Sequence, residues 1–268
     1  MEHTFWHRQG DKPLFEELEW NKPERKDQAG RLLIVGGNVH ALAAPAQSYI
    51  LAQNLGIGTT KVALPSKTKK LLGDIPFDAL FLPSTPSGEF AKDGATELIE
   101  YALWADTVLL PGDVGRNSQT TLLLEELIIS YSDQIVLTRD AVDTLSSDAV
   151  LLLERPKTTL ILSIAQLQTL IRNSDIPTPI SFTMDLVKLV DLLHEITTKY
   201  SCSIVTLHQS QFIVASGGKV STTKTQVSDD EPAHWRNPFA THAACFLTWY
   251  PSQPFEALTH CAHLMRSS

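Results

Sequence analysis

Two apolar runs, each ending in a glycine-containing turn, constrain this chain most strongly. Residues 32–38 read Leu-Leu-Ile-Val-Gly-Gly-Asn, and residues 108–117 read Val-Leu-Leu-Pro-Gly-Asp-Val-Gly-Arg-Asn. Each run has the composition of a buried strand and leads into a segment with a helical pattern. Glycine lets a ligand approach the backbone closely, and the first turn of the following helix offers free N–H groups to an anion. The pair therefore predicts a nucleotide-type pocket.

Further apolar runs bounded by turn residues extend this pattern and predict the fold class. Strands are predicted at 31–36, 59–64, 78–82, 106–110, 134–138 and 158–162. Helices are predicted between them, near 44–55, 65–72, 94–103, 118–131 and 142–152. The alternation predicts an α/β fold whose mostly parallel central sheet is covered by helices on both faces. Ligands of such sheets bind beyond the carboxyl ends of the strands.

The second half of the chain predicts a long helix and an antiparallel edge. Apolar residues recur at helical spacing from Phe182 to Ile196, which predicts one helix with a single buried face. Alternating runs at 203–207 and 211–215 precede a Gly-Gly turn and a short third run, the pattern of antiparallel strands at a sheet edge.

Two terminal helices are predicted from their starting signals. Asn237 stands before Pro238, and Ser252 stands two residues before Pro254. Asparagine and serine are favoured N-caps, and proline is favoured in the first helical turn.

Length and composition favour one domain with an N-terminal arm. The chain has 268 residues, of which 43% are hydrophobic, enough for a sizeable core. Residues 1–30 are polar, hold two isolated tryptophans and show no sustained periodicity. We therefore predict an extended arm over 1–30, packed on the body or on a neighbouring subunit, with a frayed terminus as the alternative, and a single α/β domain over 31–268.

Charge and cysteine content exclude several partners. A net charge of −8 opposes attraction to nucleic acid or to an anionic membrane. Three cysteines do not suit a disulfide scaffold, and the first residues lack the pattern of a signal peptide. No apolar run approaches the ~18 residues that cross a bilayer. We therefore expect a cytoplasmic protein with a small-molecule ligand and no nucleic-acid or membrane partner.

The two glycine turns differ in how strongly they indicate a ligand. Gly36-Gly37-Asn38 also suits an ordinary turn. Residues 111–117 place two glycines, an acid and a base directly before Ser118, which suits both helix capping and contact with a polyol or a phosphate.

The order of these motifs resembles the ADP/ATP-dependent NAD(P)H-hydrate dehydratases, a branch of the ribokinase-like fold. The resemblance covers roughly residues 31–265 and rests on the segments 32–38, 105–117, 136–143 and 237–241. It implies a ribokinase-like fold, a site along one edge of the sheet, and a homo-oligomer. It also implies that ADP or ATP, with Mg²⁺ possible alongside the nucleotide, drives the dehydration of hydrated NADH or NADPH.

Carried over by position, the family's motifs imply two sets of binding residues, and several positions depart from the family pattern. The set implied for the dinucleotide is Gly37, Asn38, Ala44, Gly115 and Asn117. The set implied for the nucleotide is His208, Gln209 and Thr241. His208 and Gln209 replace a Lys-Gly loop, Ser163 replaces a histidine, and Gln166 replaces an acid.

The largest departure falls on the family's Ala-Thr-Gly-Gly-Thr-Gly-Asp segment, whose glycine N–H groups surround the phosphate and whose Asp is the general base. Residues 240–246 here read Ala-Thr-His-Ala-Ala-Cys-Phe, and Phe246 cannot accept a proton. The loss of a general base lowers a rate by about 10²–10⁴-fold. Asp140 and His242 are the remaining candidates for a catalytic residue.

A zinc cluster is a separate possibility that the spacing does not favour. The residues concerned are His242, Cys245, His260, Cys261 and His263. Their spacing matches no recognised zinc finger, and buried cysteine is ordinarily a small hydrophobic residue, so we predict no metal site. The acidic run at 228–231 is predicted to be a solvated loop.

Three functions remain open at this point. The residues favour a divergent relative that binds a nucleotide or dinucleotide with little or no catalysis. The resemblance leaves open an active dehydratase with an altered site. A small-molecule kinase of the ribokinase-like group is opposed by the same missing acid.

Overall fold

A computed structural model describes residues 4–72, 78–227 and 234–267, and within them the strands form one ten-stranded sheet. The strands are β1 (Trp6–Gln9), β2 (Arg31–Val35), β3 (Thr59–Pro65), β4 (Asp78–Leu82), β5 (Thr107–Leu110), β6 (Gln134–Thr138), β7 (Thr158–Leu162), β8 (Ser203–His208), β9 (Gln211–Ser216) and β10 (Lys219–Lys224). The helices are α1 (Glu17–Trp20), α2 (Ala43–Leu55), α3 (Lys69–Leu72), α4 (Ala95–Trp104), α5 (Ser118–Ser130), α6 (Asp140–Leu145), α7 (Ala149–Glu154), α8 (Ile164–Arg172), α9 (Leu186–Lys199), α10 (Arg236–Trp249) and α11 (Pro254–Leu264).

The sheet confirms the predicted α/β class. Its strand order is β1-β10-β9-β8-β7-β6-β5-β2-β3-β4, with parallel pairing from β4 to β8 and antiparallel pairing among β8, β9 and β10. The Gly217–Gly218 turn joins β9 to β10 as predicted, with both glycines at positive φ. The carboxyl ends of β2, β5, β6, β7 and β8 therefore lie along one edge.

Two hydrophobic cores lie on the two faces of the sheet, because the strand side chains alternate between them. Leu33 and Val35 join the core that contains helices α4 to α9, while Leu32 and Ile34 join the core that contains α2, α10 and α11. Both faces are covered, so each central strand is apolar on both sides, and this explains the continuous apolar runs.

Several predicted helix bounds are wrong, for local reasons. The helix predicted near 142–152 is two helices, α6 and α7, because the Asp148 side chain caps the backbone N–H of Leu151 and starts a new helix. The long helix begins at Leu186, capped by Asp185, so Phe182 lies outside it and is 65% exposed.

The starts of three further helices were missed or misplaced. Helix α8 was not predicted, and it begins with a capping box formed by Ser163 and Gln166. Helix α10 begins at Arg236, so Asn237 and Pro238 lie inside its first turn and Asn237 is not its N-cap. The N-cap of α11 is Gln253, with Pro254 as its first residue.

The N-terminal segment adds an edge strand to the sheet. Strand β1 pairs in parallel with β10, and the indole nitrogen of Trp6 donates to the hydroxyl of Thr222 at 3.0 Å. Within α1, Leu18 is buried in the core, whereas Trp20 is exposed. The division into an arm and a domain at residue 30 stays a prediction, and the run at 228–231 lies outside the described residues. Among the described helices, none has both the length and the apolar character needed to cross a membrane.

Gln9 ties this segment to the body, so we predict that Gln9→Ala destabilises the fold. Its buried amide donates to Thr223 Oγ1 at 2.8 Å and to the Thr259 carbonyl at 3.0 Å, and it accepts from Leu14 N at 2.9 Å. Because the truncation leaves buried polar groups unpaired, the free energy of unfolding should fall by about 1–3 kcal/mol in urea denaturation. Gln119→Ala removes an exposed glutamine side chain and should change it by less than about 0.5 kcal/mol. Equal midpoints for the two variants would contradict this role of Gln9.

Candidate functional site

The two predicted glycine turns meet at the carboxyl edge of the sheet, and the side chain of Asn38 joins them. Its amide nitrogen donates to the Asp113 carbonyl at 2.7 Å, and its amide oxygen accepts from the N–H groups of His40 and Ala41 at 2.8 and 3.1 Å. Asn38 is buried, so these bonds satisfy most of its hydrogen-bonding capacity.

The carboxylate of Asp113 lies where an anionic ligand was predicted. Its Oδ2 accepts from the N–H of Ala44 in the first turn of α2 at 2.8 Å, and its Oδ1 pairs with Arg139 Nη2 at 3.1 Å. The side chain of Asp113 is buried. A carboxylate is favourable at a helix N-terminus for the reason that a phosphate is, so the protein fills this position with its own anion.

A second carboxylate, that of Asp140, contacts the other glycine turn. Its Oδ2 accepts from Gly115 N at 3.1 Å, and its buried Oδ1 has no hydrogen-bond partner among the described residues. Burial raises the pKa of Asp140, and the nearby charge of Asp113 raises it further. A Cβ at Gly112, whose φ is +112°, would lie 2.8 Å from Oδ1, so this close approach requires glycine.

A third carboxylate, Glu89, covers Gly115 and was not predicted. Its Oε1 accepts from Arg116 N at 3.1 Å, and a Cβ on Gly115 would lie 2.1 Å from that oxygen. Asn117 caps α5 by accepting from Gln119 N at 2.9 Å. The loop that was predicted to hold a phosphate is thus lined by acidic side chains.

Gln166 connects the loop cluster, which we define as the turns at 36–41 and 111–117 with Glu89, Arg139 and Asp140, to a neighbouring pocket. Its amide nitrogen donates to the Arg139 carbonyl and to Asp143 Oδ1, both at 2.7 Å, and its amide oxygen accepts from Arg236 Nη1. Burial, and then the positive charge of Arg139, lower the pKa of Arg236. Arg236 was missed in the sequence because it lies 70 residues from Gln166 in the chain.

The Arg236 pocket is an open cavity of about 370 Å³ at the ends of β7 and β8. It is lined by Ser163, Ile164, Ala165, Phe182, Leu207, His208, Trp235 and Arg236. His208 Nε2 lies 2.7 Å from the Met184 carbonyl, to which Gln209 Nε2 also donates at 3.3 Å. Of the residues implied for nucleotide binding, the structure brings His208 to this pocket, and Gln209 adjoins it.

Thr241 is not among the residues that line the pocket. Its hydroxyl oxygen lies 3.0 Å from both Ser48 Oγ and the Asn237 carbonyl and has one proton to donate between them, and the side chain is fully buried against α2. Residues 240–246 all lie inside α10, so their backbone N–H groups are used in helical hydrogen bonds. The segment that aligns with the family's phosphate cradle therefore has no free amides.

His242 and Phe246 lie on α10 close to Lys22 of the N-terminal segment. Burial, and then the charge of Lys22, lower the pKa of His242 to about 4, so its imidazole is neutral near pH 7. The fully buried Phe246 ring packs against the rings of Trp249 and His260, with centroids 5.1 and 5.2 Å apart. The structure does not bring His242 together with Asp140.

The cysteines near the C-terminus are buried thiols. Burial raises the pKa of the Cys245 thiol to about 12, and Cys261 is likewise fully buried. Within the three described stretches of the chain, no group of three or more His, Cys, Asp or Glu side chains has an arrangement that could hold a metal ion.

Comparisons with known proteins agree with this architecture. No family model matches the chain. Over 121 residues the chain is 26% identical to the bifunctional NAD(P)H-hydrate repair enzyme Nnr of Moorella thermoacetica, a match that covers 44% of this chain and 23% of that protein. The matched region thus spans about a quarter of the relative's length.

Two solved structures are similar over nearly the whole chain. A ribokinase-like superfamily protein from Enterococcus faecalis has a TM-score of 0.71 at 16% identity, covering 99% of this chain and 88% of that one. The ADP/ATP-dependent NAD(P)H-hydrate dehydratase of Bacillus subtilis, co-crystallised with ATP and Mg²⁺, has a TM-score of 0.65 at 14% identity, covering 93% and 84%. The chain has a ribokinase-like fold, and its resemblance to the ADP/ATP-dependent NAD(P)H-hydrate dehydratases is confirmed.

Proposed function

We propose that this protein binds a nucleotide or dinucleotide at the carboxyl edge of its sheet and dehydrates NAD(P)H hydrates very slowly or not at all. The observation that carries the proposal is the start of α10 at Arg236, which places residues 240–246 in the interior of a helix. A phosphate cradle needs backbone N–H groups that point at the ligand without other partners. A helix interior offers none.

The side chains of this segment support the same proposal. Ala243, Ala244, Cys245 and Phe246 are all fully buried, so a transferred phosphate would have to displace core packing. Phe246 occupies the position of the family's general base and has no proton acceptor. Loss of the base and of the amide donors lowers a rate by about 10²–10⁴-fold and 10²–10³-fold respectively.

The Arg236 pocket supports the binding half of the proposal. This pocket combines open volume with the guanidinium of Arg236 and with aromatic side chains. ADP, ATP or an NAD(P)H-type ligand would meet these groups first, and Mg²⁺ would arrive with a nucleotide, held largely by its phosphates. The homo-oligomer implied by the resemblance stays a prediction.

An active dehydratase with an altered site is the second candidate, and the unpartnered Oδ1 of Asp140 favours it. A buried carboxyl group with a raised pKa beside a glycine turn is a common property of general acids and bases. In this alternative, Asp140 takes over proton transfer.

We predict that purified protein converts hydrated NADH to NADH at a rate at least about 10³-fold below that of a known NAD(P)H-hydrate dehydratase, with either ATP or ADP and Mg²⁺. The recovery of NADH absorbance measures the reaction. In the same samples, adenine nucleotides or NADH should raise the melting temperature, because a ligand selective for the folded state stabilises it. Rapid turnover that Asp140→Asn abolishes would support the active dehydratase and contradict the proposal.

The burial of Phe246 gives a second prediction, on stability. Phe246→Ala should lower the free energy of unfolding by about 3–5 kcal/mol, because it empties a fully buried ring site. Phe182→Ala is the matched control, since that ring is 65% exposed, and its effect should stay within about 0.5 kcal/mol. Chemical denaturation measures both, and a small effect at Phe246 would contradict a core position.

Asp140 gives a prediction on pH dependence. A raised pKa in the folded state means that the folded protein holds the proton of Asp140 more tightly than the unfolded chain, so stability declines as the pH rises from about 3.8 through the folded value. Asp140→Asn removes this titration. The free energy of unfolding of Asp140→Asn minus that of the wild type should therefore increase as the pH rises from about 3.5 to about 6, as measured by urea titration at constant temperature.

A constant difference between the two proteins over that range would contradict a raised pKa at Asp140. Asp133→Asn serves as the control, because Asp133 is exposed and lies outside the loop cluster.

A further inference from the structure

We propose that the Arg236 pocket is selective for a ligand with one flat ring and a single anionic group, of the class of a nucleoside monophosphate, over nucleoside di- and triphosphates. This inference rests on the proposed function and specifies the ligand class of the same site. It is carried by the apolar wall, by the placement of one guanidinium, and by the acidic side chains beyond it.

The wall of the pocket suits a flat ring. Trp235 and Leu207 are 4% and 6% exposed and form apolar lining, whereas Phe182 at the rim is 65% exposed. The segment that carries Phe182 is held at its far end by the contact of His208 with the Met184 carbonyl. A planar ring between Phe182 and the apolar lining would cover aromatic surface that water now contacts, and such stacking is favourable.

The guanidinium of Arg236 supplies the anion contact. A guanidinium carries five N–H donors, so beyond its hydrogen bond to Gln166 this group can still donate to a phosphate or carboxylate in the pocket, and partial burial makes such a bond stronger than in water. Gln166 fixes one side of the group through Nη1. The positive charge of Arg139 also acts on Arg236, and an anion bound between the two charges would lower their mutual repulsion.

The space next to Arg236 does not suit a longer phosphate chain. Asn237 and Phe239, which follow Arg236 in the first turn of α10, are both buried and leave no open space there. The charged neighbours of Arg236 include the carboxylates of Asp140 and Asp143, and Asp143 contacts the same Gln166 side chain. A second or third phosphate would therefore meet packed side chains or like charge, and either one disfavours binding.

Isothermal titration of the full chain with AMP, adenosine, ADP, ATP and NADH tests this inference. We expect AMP to bind more tightly than ADP, and ADP more tightly than ATP, with and without Mg²⁺. Arg236→Gln should weaken AMP binding about tenfold or more and leave adenosine binding unchanged, since only AMP carries the anion. Arg236→Lys should retain part of the AMP affinity, because a point charge replaces the fork.

Two further variants separate the ring contact from the charge contact. Phe182→Ala, at an exposed position, should weaken AMP and adenosine by the same factor. Arg172→Gln removes an equal charge from the exposed C-terminal end of helix α8, about 12 Å along the helix axis from the pocket-lining residue Ile164, and should leave every affinity unchanged. Melting curves establish that each variant is folded.

The outcomes distinguish this inference from the proposed function. ATP binding as tight as AMP, or AMP binding that Arg236→Gln does not weaken, would overturn the selectivity and leave nucleotide binding in place. The absence of binding by all five compounds would overturn both. Equal losses of AMP affinity in Arg236→Gln and Arg172→Gln would show a general charge effect and would also overturn it.

Discussion

The packing of α10 is the constraint on which the rest of the site depends. The helix is buried between the sheet, α2 and α11, and its contact face is made of alanines and large apolar side chains, with Ala240, Ala243, Ala244 and Phe246 fully buried. Glycine inside a helix costs about 1 kcal/mol relative to alanine. The resemblance aligns the three glycines of the family segment with His242, Ala243 and Cys245, and each of these residues favours a helix more than glycine does. The hydroxyl of Thr241 contacts Ser48 of α2 and so helps to hold the two helices together.

At the carboxyl edge of the sheet, carboxylate side chains of the protein occupy the positions where an anionic ligand could otherwise bind. Asp113 caps α2, Asp140 accepts from Gly115, and Glu89 accepts from Arg116. Glycine turns and a helix N-terminus are good anion sites in general, but their amides are occupied here by the chain's own carboxylates. Arg236 carries a positive charge beside the open pocket at the ends of β7 and β8, where we propose that the ligand binds.

The sequence predicts the fold well and the site only in part, for identifiable reasons. Parallel strands buried on both faces are continuous apolar runs, so β2 to β7 were predicted within a residue or two. The Ser-x-x-Gln pattern at Ser163 and Gln166 carries a capping-box signal that could have identified α8. The resemblance pointed to His208, which does line the pocket. Arg236 and Glu89 were missed because their contacts, with Gln166 and Arg116, depend on tertiary packing that no local pattern reports.

Native-state hydrogen exchange of the backbone amides of residues 240–246 distinguishes a buried helix from a loop that binds phosphate. We expect these amides to be protected to the same degree as those of the central strands, in the absence of nucleotide and equally in the presence of ADP and Mg²⁺. Fast exchange without nucleotide, followed by strong protection when ADP and Mg²⁺ are added, would show a loop that closes on phosphate, and would contradict this expectation.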